Sequence, residues 1–168
     1  MPVTFRDVLP FDDAFLYKLY ATTRAEEMEM TGWNAVQREA FLKMQFEAQR
    51  MHYAEHYSRA DHKIILVDGK PAGRIMVERS DKEIIGVDIA LLPEYRSGGI
   101  GSAIIKDLLD EAVREGKPFK IQVEKFNRAL RLYMRLGFSL TGESATHYQM
   151  EWKGREDGRD EGGGMRDE

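Results

Sequence analysis

The chain has 168 residues, enough for a single domain that buries about 70% of the surface its unfolded form would expose. Its net charge of −4 and isoelectric point near 5.7 speak against a surface built to neutralise the phosphates of nucleic acid or of an anionic membrane. There is no cysteine, which excludes disulfides, thiolate metal sites and a cysteine nucleophile.

The opening MPVTFRDVLPFDD places acids early and lacks a basic start followed by an apolar run, unlike a secretory leader. Nowhere do about 18 apolar residues follow one another, so a cytoplasmic protein outside the membrane is expected. Val3 to Leu9 reads as a strand, and Pro10 with Asp12 and Asp13 opens a helix whose face holds Phe15, Leu16, Leu19 and Tyr20. A charged connection follows, with Arg24, Glu26, Glu27 and Glu29 before Met30 and Trp33. From Ala35 to Tyr57 the spacing predicts a long helix with room for a kink, and its expected inner face is Phe41, Met44 or Gln45, Ala48 and His52. The period then changes to two. Lys63 to Val67, Ala72 to Glu78 and Glu83 to Leu92, joined by turns at Asp68-Gly69 and Ser80-Asp81-Lys82, predict a three-strand meander.

Tyr95 to Ser102, YRSGGIGS, sets three glycines and one arginine ahead of a helix. That helix shows an apolar stripe of Ile100, Ile104, Ile105, Leu108, Leu109, Ala112 and Val113, closed by Gly116 and Pro118. Phe119 to Val123 reads as a strand, Ala129 to Leu136 as a short helix, and Phe138 to Leu140 and His147 to Lys153 as the last strands. Residues 154–168 hold five glycines, six acids and three arginines, a solvated tail carrying three of the four net negative charges. Residues 1–153 are expected to form the folded domain, one α/β layer on a mixed sheet.

A glycine-rich turn that opens a helix presents free amides at the positive end of the helix dipole, where a phosphate is favoured. Arg96 adds a permanent charge beside them. The spacing fits neither familiar nucleotide loop: no Lys follows Gly101, as a P-loop requires, and Gly99-Ile100-Gly101 runs on to Ile104 where a dinucleotide fingerprint needs glycine. Asp88 interrupts an otherwise apolar strand. His52-Tyr53-Ala54-Glu55-His56 matches the His-x-x-Glu-His pattern of inverted zinc peptidases, although no third ligand is evident; the polar end of a long helix is the favoured reading. With Gln45 and Gln49 the segment could instead wall a substrate site.

Arg96-x-x-Gly99-x-Gly101 between strand and helix, followed by Val123-Glu124-Lys125-Phe126-Asn127 and by Tyr133 and Gly137-Phe138, resembles the acetyl-CoA site of the GNAT N-acetyltransferases. The resemblance implies the GNAT fold: a mixed, mostly antiparallel sheet of about seven strands flanked by about four helices. It also implies roles for single residues. The amides of Ser97, Gly98, Gly99, Gly101 and Ser102 with Arg96 would hold the pyrophosphate of acetyl-CoA. The main chain of Ile89 and Leu91 would pair with the pantetheine arm, and Asn127 would bond that arm. Tyr133 would protonate the leaving thiolate, although on the residues alone it reads first as a core side chain beside Leu132 and Leu136, a preference that the resemblance reverses. The base is left open between Asp88, Glu124 and water.

The expected activity is direct transfer of an acetyl group to a primary amine of a small molecule or peptide, without metal, nucleic acid or membrane, with a homodimer an open option. Two rivals accompany it: a non-catalytic acyl-CoA sensor, and a zinc hydrolase using His52 and His56.

Overall fold

The computed structural model describes residues 2–154 apart from 126 and 128. The tail reading therefore lies outside the described residues from position 155 onward, as do Phe126 and Arg128 of the segment around Asn127. Seven strands form one sheet: β1 (Val3–Asp7), β2 (Asp61–Val67), β3 (Lys70–Arg79), β4 (Ile84–Leu91), β5 (Phe119–Glu124), β6 (Ser139–Glu143) and β7 (His147–Trp152), in the order β1-β2-β3-β4-β5-β7-β6. The helices are α1 (Asp13–Thr23), α2 (Ala25–Glu29), α3 (Ala35–His56), α4 (Ile100–Glu115) and α5 (Leu130–Arg135). The α/β class, the seven strands and the mixed, mostly antiparallel pairing agree with the sequence. Among the described residues no helix is long and apolar enough to cross a membrane.

Two compact units share the chain, and β4 belongs to both. The first takes residues up to Glu78 together with Val87–Gly101. There β1 and β2 run antiparallel, with Val3 opposite Val67 and Asp7 opposite Lys63, and β2 continues antiparallel onto β3. Its core joins Leu16 and Tyr20 of α1, Met28 of α2, Leu42 and Phe46 of α3 and Ile64 of β2. The Phe46 ring meets the Tyr17 edge at 5.5 Å and Tyr20 at 5.6 Å, the offset contacts that aromatic rings prefer.

Three expectations are corrected in this unit. The inward face of α3 is Leu42 and Phe46, one position on from Phe41 and Gln45; of the expected line Phe41 and Gln45 are half-buried, and Met44, Ala48 and His52 are exposed. The helix runs as one element, opened by a capping box in which Asn34 accepts from the Gln37 amide and the Gln37 side chain accepts from the Asn34 amide. The charged connection after α1 contains a further helix, α2. Within it Arg24 is buried, its guanidinium forked onto both Glu27 oxygens at 2.7 and 2.8 Å and bonded to the Tyr20 hydroxyl.

The second unit takes Arg79–Gly86 and the residues from Ser102 onward. Ile104, Ile105, Leu108, Leu109 and Ala112 of α4 are buried there, at the spacing of one helix face. Val113 is 60% exposed and leaves the expected stripe. The β5 residues Phe119, Ile121 and Val123 alternate inward, β5 pairs antiparallel with β7 along its length, and β7 pairs with β6. Phe138 stands edge-on to Phe119 at 5.9 Å and to Tyr133 at 5.5 Å.

Candidate functional site

Each unit carries its own share of the expected site residues. In the second unit, β4 makes its parallel ladder with β5 through Ile84, Ile85 and Gly86, and the rest of the strand, from Val87, belongs to the first unit. The stretch Val87–Leu91 lies beyond that ladder and includes Asp88, Ile89 and Leu91. Where a strand edge is left unpaired, its amides and carbonyls can take an extended ligand as an added strand. After β4 a short 3₁₀ turn, Pro93–Tyr95, aims the chain toward α4.

The connecting loop is held by its arginine. Arg96 Nε donates to the Leu91 carbonyl at 2.9 Å, and Nη2 donates to the Thr22 hydroxyl at 3.3 Å. One lone pair of Leu91 is thereby used within the protein, and a carbonyl has a second to offer. Ser97 and Gly99 take φ of +64° and +89°. That backbone needs glycine or a tolerant residue, and a Cβ placed on Gly98 or Gly99 would meet nothing within 4 Å. The loop therefore presents bare, open main chain just ahead of the sixteen-residue α4, the setting in which an anion is favoured.

A charged cluster surrounds Asp88. Arg74, buried on the neighbouring strand β3, donates to Asp88 Oδ2 from Nε at 3.1 Å and again from Nη2. Nη2 also reaches Gln49 Oε1 at 2.8 Å, and the Tyr53 hydroxyl lies 3.4 Å from the same Oδ2. The Arg74 guanidinium sits over the Tyr53 ring, 5.6 Å from its centroid. All these donors converge on Oδ2 and leave Oδ1 to other partners. Arg74 was missed in the sequence, although one charge inside the apolar run Ala72–Val77 was its signal. Gln49 and Tyr53 do face this site; His52 and His56 stay exposed, their rings 4.3 Å apart. Among the described residues no three His, Cys, Asp or Glu side chains converge as a metal site would require.

His62 of β2 feels the same cluster. Its Nε2 is buried without a hydrogen-bond partner among the described residues. Burial above all, then the positive charge of Arg74, pushes its pKa down to about 4, against the opposing pull of Asp88, Asp12 and Asp61.

In the second unit Tyr133 of α5 is 7% exposed, its ring against Phe138. Asn127 is exposed and its side-chain oxygen accepts from the Ala129 amide at 2.8 Å, just ahead of α5. For a ligand this side chain has its Nδ2 donors and the second lone pair of its oxygen to offer. Glu124 ends β5, half-buried. Ser102, Lys106, Leu132, Arg135 and Leu136 line an open depression of about 350 Å³. Lys106 and Arg135 were not singled out in the sequence; Lys106 stands one helical turn beyond Ser102, so the glycine loop itself pointed to it.

The chain matches solved structures of known proteins over nearly its full length. The PaiA N-acetyltransferase of Thermoplasma acidophilum, solved in complex with coenzyme A, superposes with a TM-score of 0.66 at 15% identity, covering 91% of this chain and 99% of that one. The ribosomal-protein-S18-alanine N-acetyltransferase of Escherichia coli gives 0.60 at 19%, with 95% and 98% covered. Naa50 of Arabidopsis thaliana, bound to the bisubstrate analogue CoA-Ac-MVNAL, gives 0.59 at 17%, with 90% and 98% covered. At such identities the likeness is one of fold. The sequence model of the acetyltransferase (GNAT) family, however, matches residues 22–138, from α1 through the glycine loop to Phe138. The match spans more than half of the chain and takes in both the loop and the Tyr133 helix, so the chain belongs to the acetyltransferase (GNAT) family.

Proposed function

We propose that the protein transfers an acetyl group from acetyl-CoA to a primary amine of a small molecule or a peptide. The observation that carries the reading is the loop Arg96–Ser102: its left-handed residues, its open space at Gly98 and Gly99 and its place before α4 suit a pyrophosphate. Lys106 and Arg135, beside Ser102, add two cations of the kind that a phosphorylated nucleotide end would engage. The main chain of Ile89 and Leu91 holds the pantetheine arm as an added strand, and Asn127 Nδ2 bonds it.

Acetyl-CoA supplies the thioester. The acceptor nitrogen bonds to its carbonyl carbon, the carbon–sulfur bond breaks, and the sulfur leaves as a thiolate that takes a proton. Tyr133 gives that proton, a phenol being protonated at neutral pH. Asp88 Oδ1 binds the amine and receives the proton it sheds, with Glu124 or water as the alternative. The absence of cysteine favours this direct transfer over a thiol-bound acyl-enzyme.

The test is calorimetric titration with acetyl-CoA. The wild type should bind, and Arg96→Ala should weaken binding by about tenfold, as expected for the loss of one charge-assisted contact. An unchanged dissociation constant would remove the loop from the donor site.

A further inference from the structure

Helix α3 turns Leu42 and Phe46 to the core, and its opposite face is apolar as well. Val36, Ala40, Met44, Ala48, Met51 and Ala54 follow one line down the helix, and all are exposed. The exposures of Val36, Met51 and Met44 reach 78%, 70% and 59%. A surface helix normally sets charge opposite its buried stripe, so this face has the composition of a contact.

The charges beside the line identify the partner. Glu39, Lys43, Glu47 and Arg50 border it on one side and alternate in sign. Reversed about Gln45, the series brings acids to bases: Lys43 falls opposite Glu47, and Glu39 comes within one residue of the position opposite Arg50. Size is complementary as well: Val36 falls opposite Ala54, and Met51 comes within one residue of the position opposite Ala40, large against small. In the single chain these charges make exposed pairs, Lys43 with Glu39 at 3.0 Å and Arg50 with Asp13 of α1 at 3.2 Å and Glu47 at 3.7 Å, and the Arg50 guanidinium also sits over the Phe46 ring, 5.5 Å from its centroid. Such pairs contribute little to stability and re-form readily.

We propose that α3 packs antiparallel against α3 of a second copy of this chain, about a two-fold axis near Gln45. The contact is isologous and places the two Met44 side chains beside the axis. At 22 residues, a helix about 33 Å long gives an interface at the small end of specific contacts, and the dimer is therefore reversible with concentration.

Sedimentation velocity over a wide range of concentration tests this. The wild type should shift from monomer toward dimer as concentration rises. Met44→Glu with Met51→Glu should remain monomeric with the circular dichroism of the wild type. Lys43→Glu alone should raise the dimer dissociation constant by about tenfold, roughly 1.4 kcal/mol, and adding Glu47→Lys should restore it, since the exchanged charges oppose one another again. A wild type that is monomeric at every concentration overturns the proposal. So does a dimer indifferent to the methionine changes, or a charge exchange that fails to restore association.

Discussion

Asp88 is a carboxylate in the middle of an apolar strand, and it is tolerated there because Arg74 supplies a guanidinium on the adjacent strand. A buried charge without such a partner would cost several kcal/mol, on the order of the 3–5 kcal/mol lost when one member of a buried pair is removed. His62 is the other residue that this cluster governs. Unfolded, it titrates near 6.5, and in the fold only at about 4. Between those values the unfolded chain holds the extra proton, so stability falls as the pH drops from 6.5 toward 4 and changes no further through this group below that. Melting curves across this window should show His62→Gln losing less stability than the wild type; parallel losses would mean that His62 does not titrate this way. Tyr133→Phe belongs at this scale too. If the phenol protonates the thiolate, kcat should drop by about 10²- to 10⁴-fold while acetyl-CoA affinity holds. Unchanged turnover would return Tyr133 to the core beside Phe138. The oddity of Asp88 was legible in the sequence because a charge breaks an alternating strand locally. Its partner was not, because strand register brings Arg74 to it across 14 positions of chain.

Among the elements, legibility followed how many faces were apolar. α4 shows one stripe, and Ile100 to Ala112 could be read straight from the spacing, with only Val113 misplaced. α3 is apolar on two sides, so the spacing left Met44 and Gln45 as alternatives on one line; Phe41 and Gln45 are half-buried beside the Leu42–Phe46 face, while Met44, Ala48 and His52 lie on the outer side. α2 has five residues, too few for any period to stand out. The glycine loop is the element on which the donor site depends, and its two glycines make different demands. Gly99 sits at φ +89° and Gly98 does not occupy the left-handed region. Denaturant titration should therefore find Gly99→Ala destabilising by about 1–2 kcal/mol, with Gly98→Ala nearer neutral. Equal effects would contradict the backbone described for the loop.

For the molecule as a whole, family membership rests on the family-model match over residues 22–138, and the resemblance to that family was carried by two sequence segments, Arg96–Ser102 and Asn127–Phe138, together with the element order. All three could be read before the fold, since loops, caps and strand order leave local marks. The acceptor leaves none, and the small charge of the body excludes only strongly anionic targets. The most direct measurement is a mass-spectrometric screen of amines and peptides incubated with acetyl-CoA and the protein. An acceptor that gains the mass of one acetyl group on nitrogen, with one free CoA thiol released per product, is the predicted result. Binding of acetyl-CoA with no acceptor modified and no thiol released would contradict the transferase and leave a sensor of the acyl thioester.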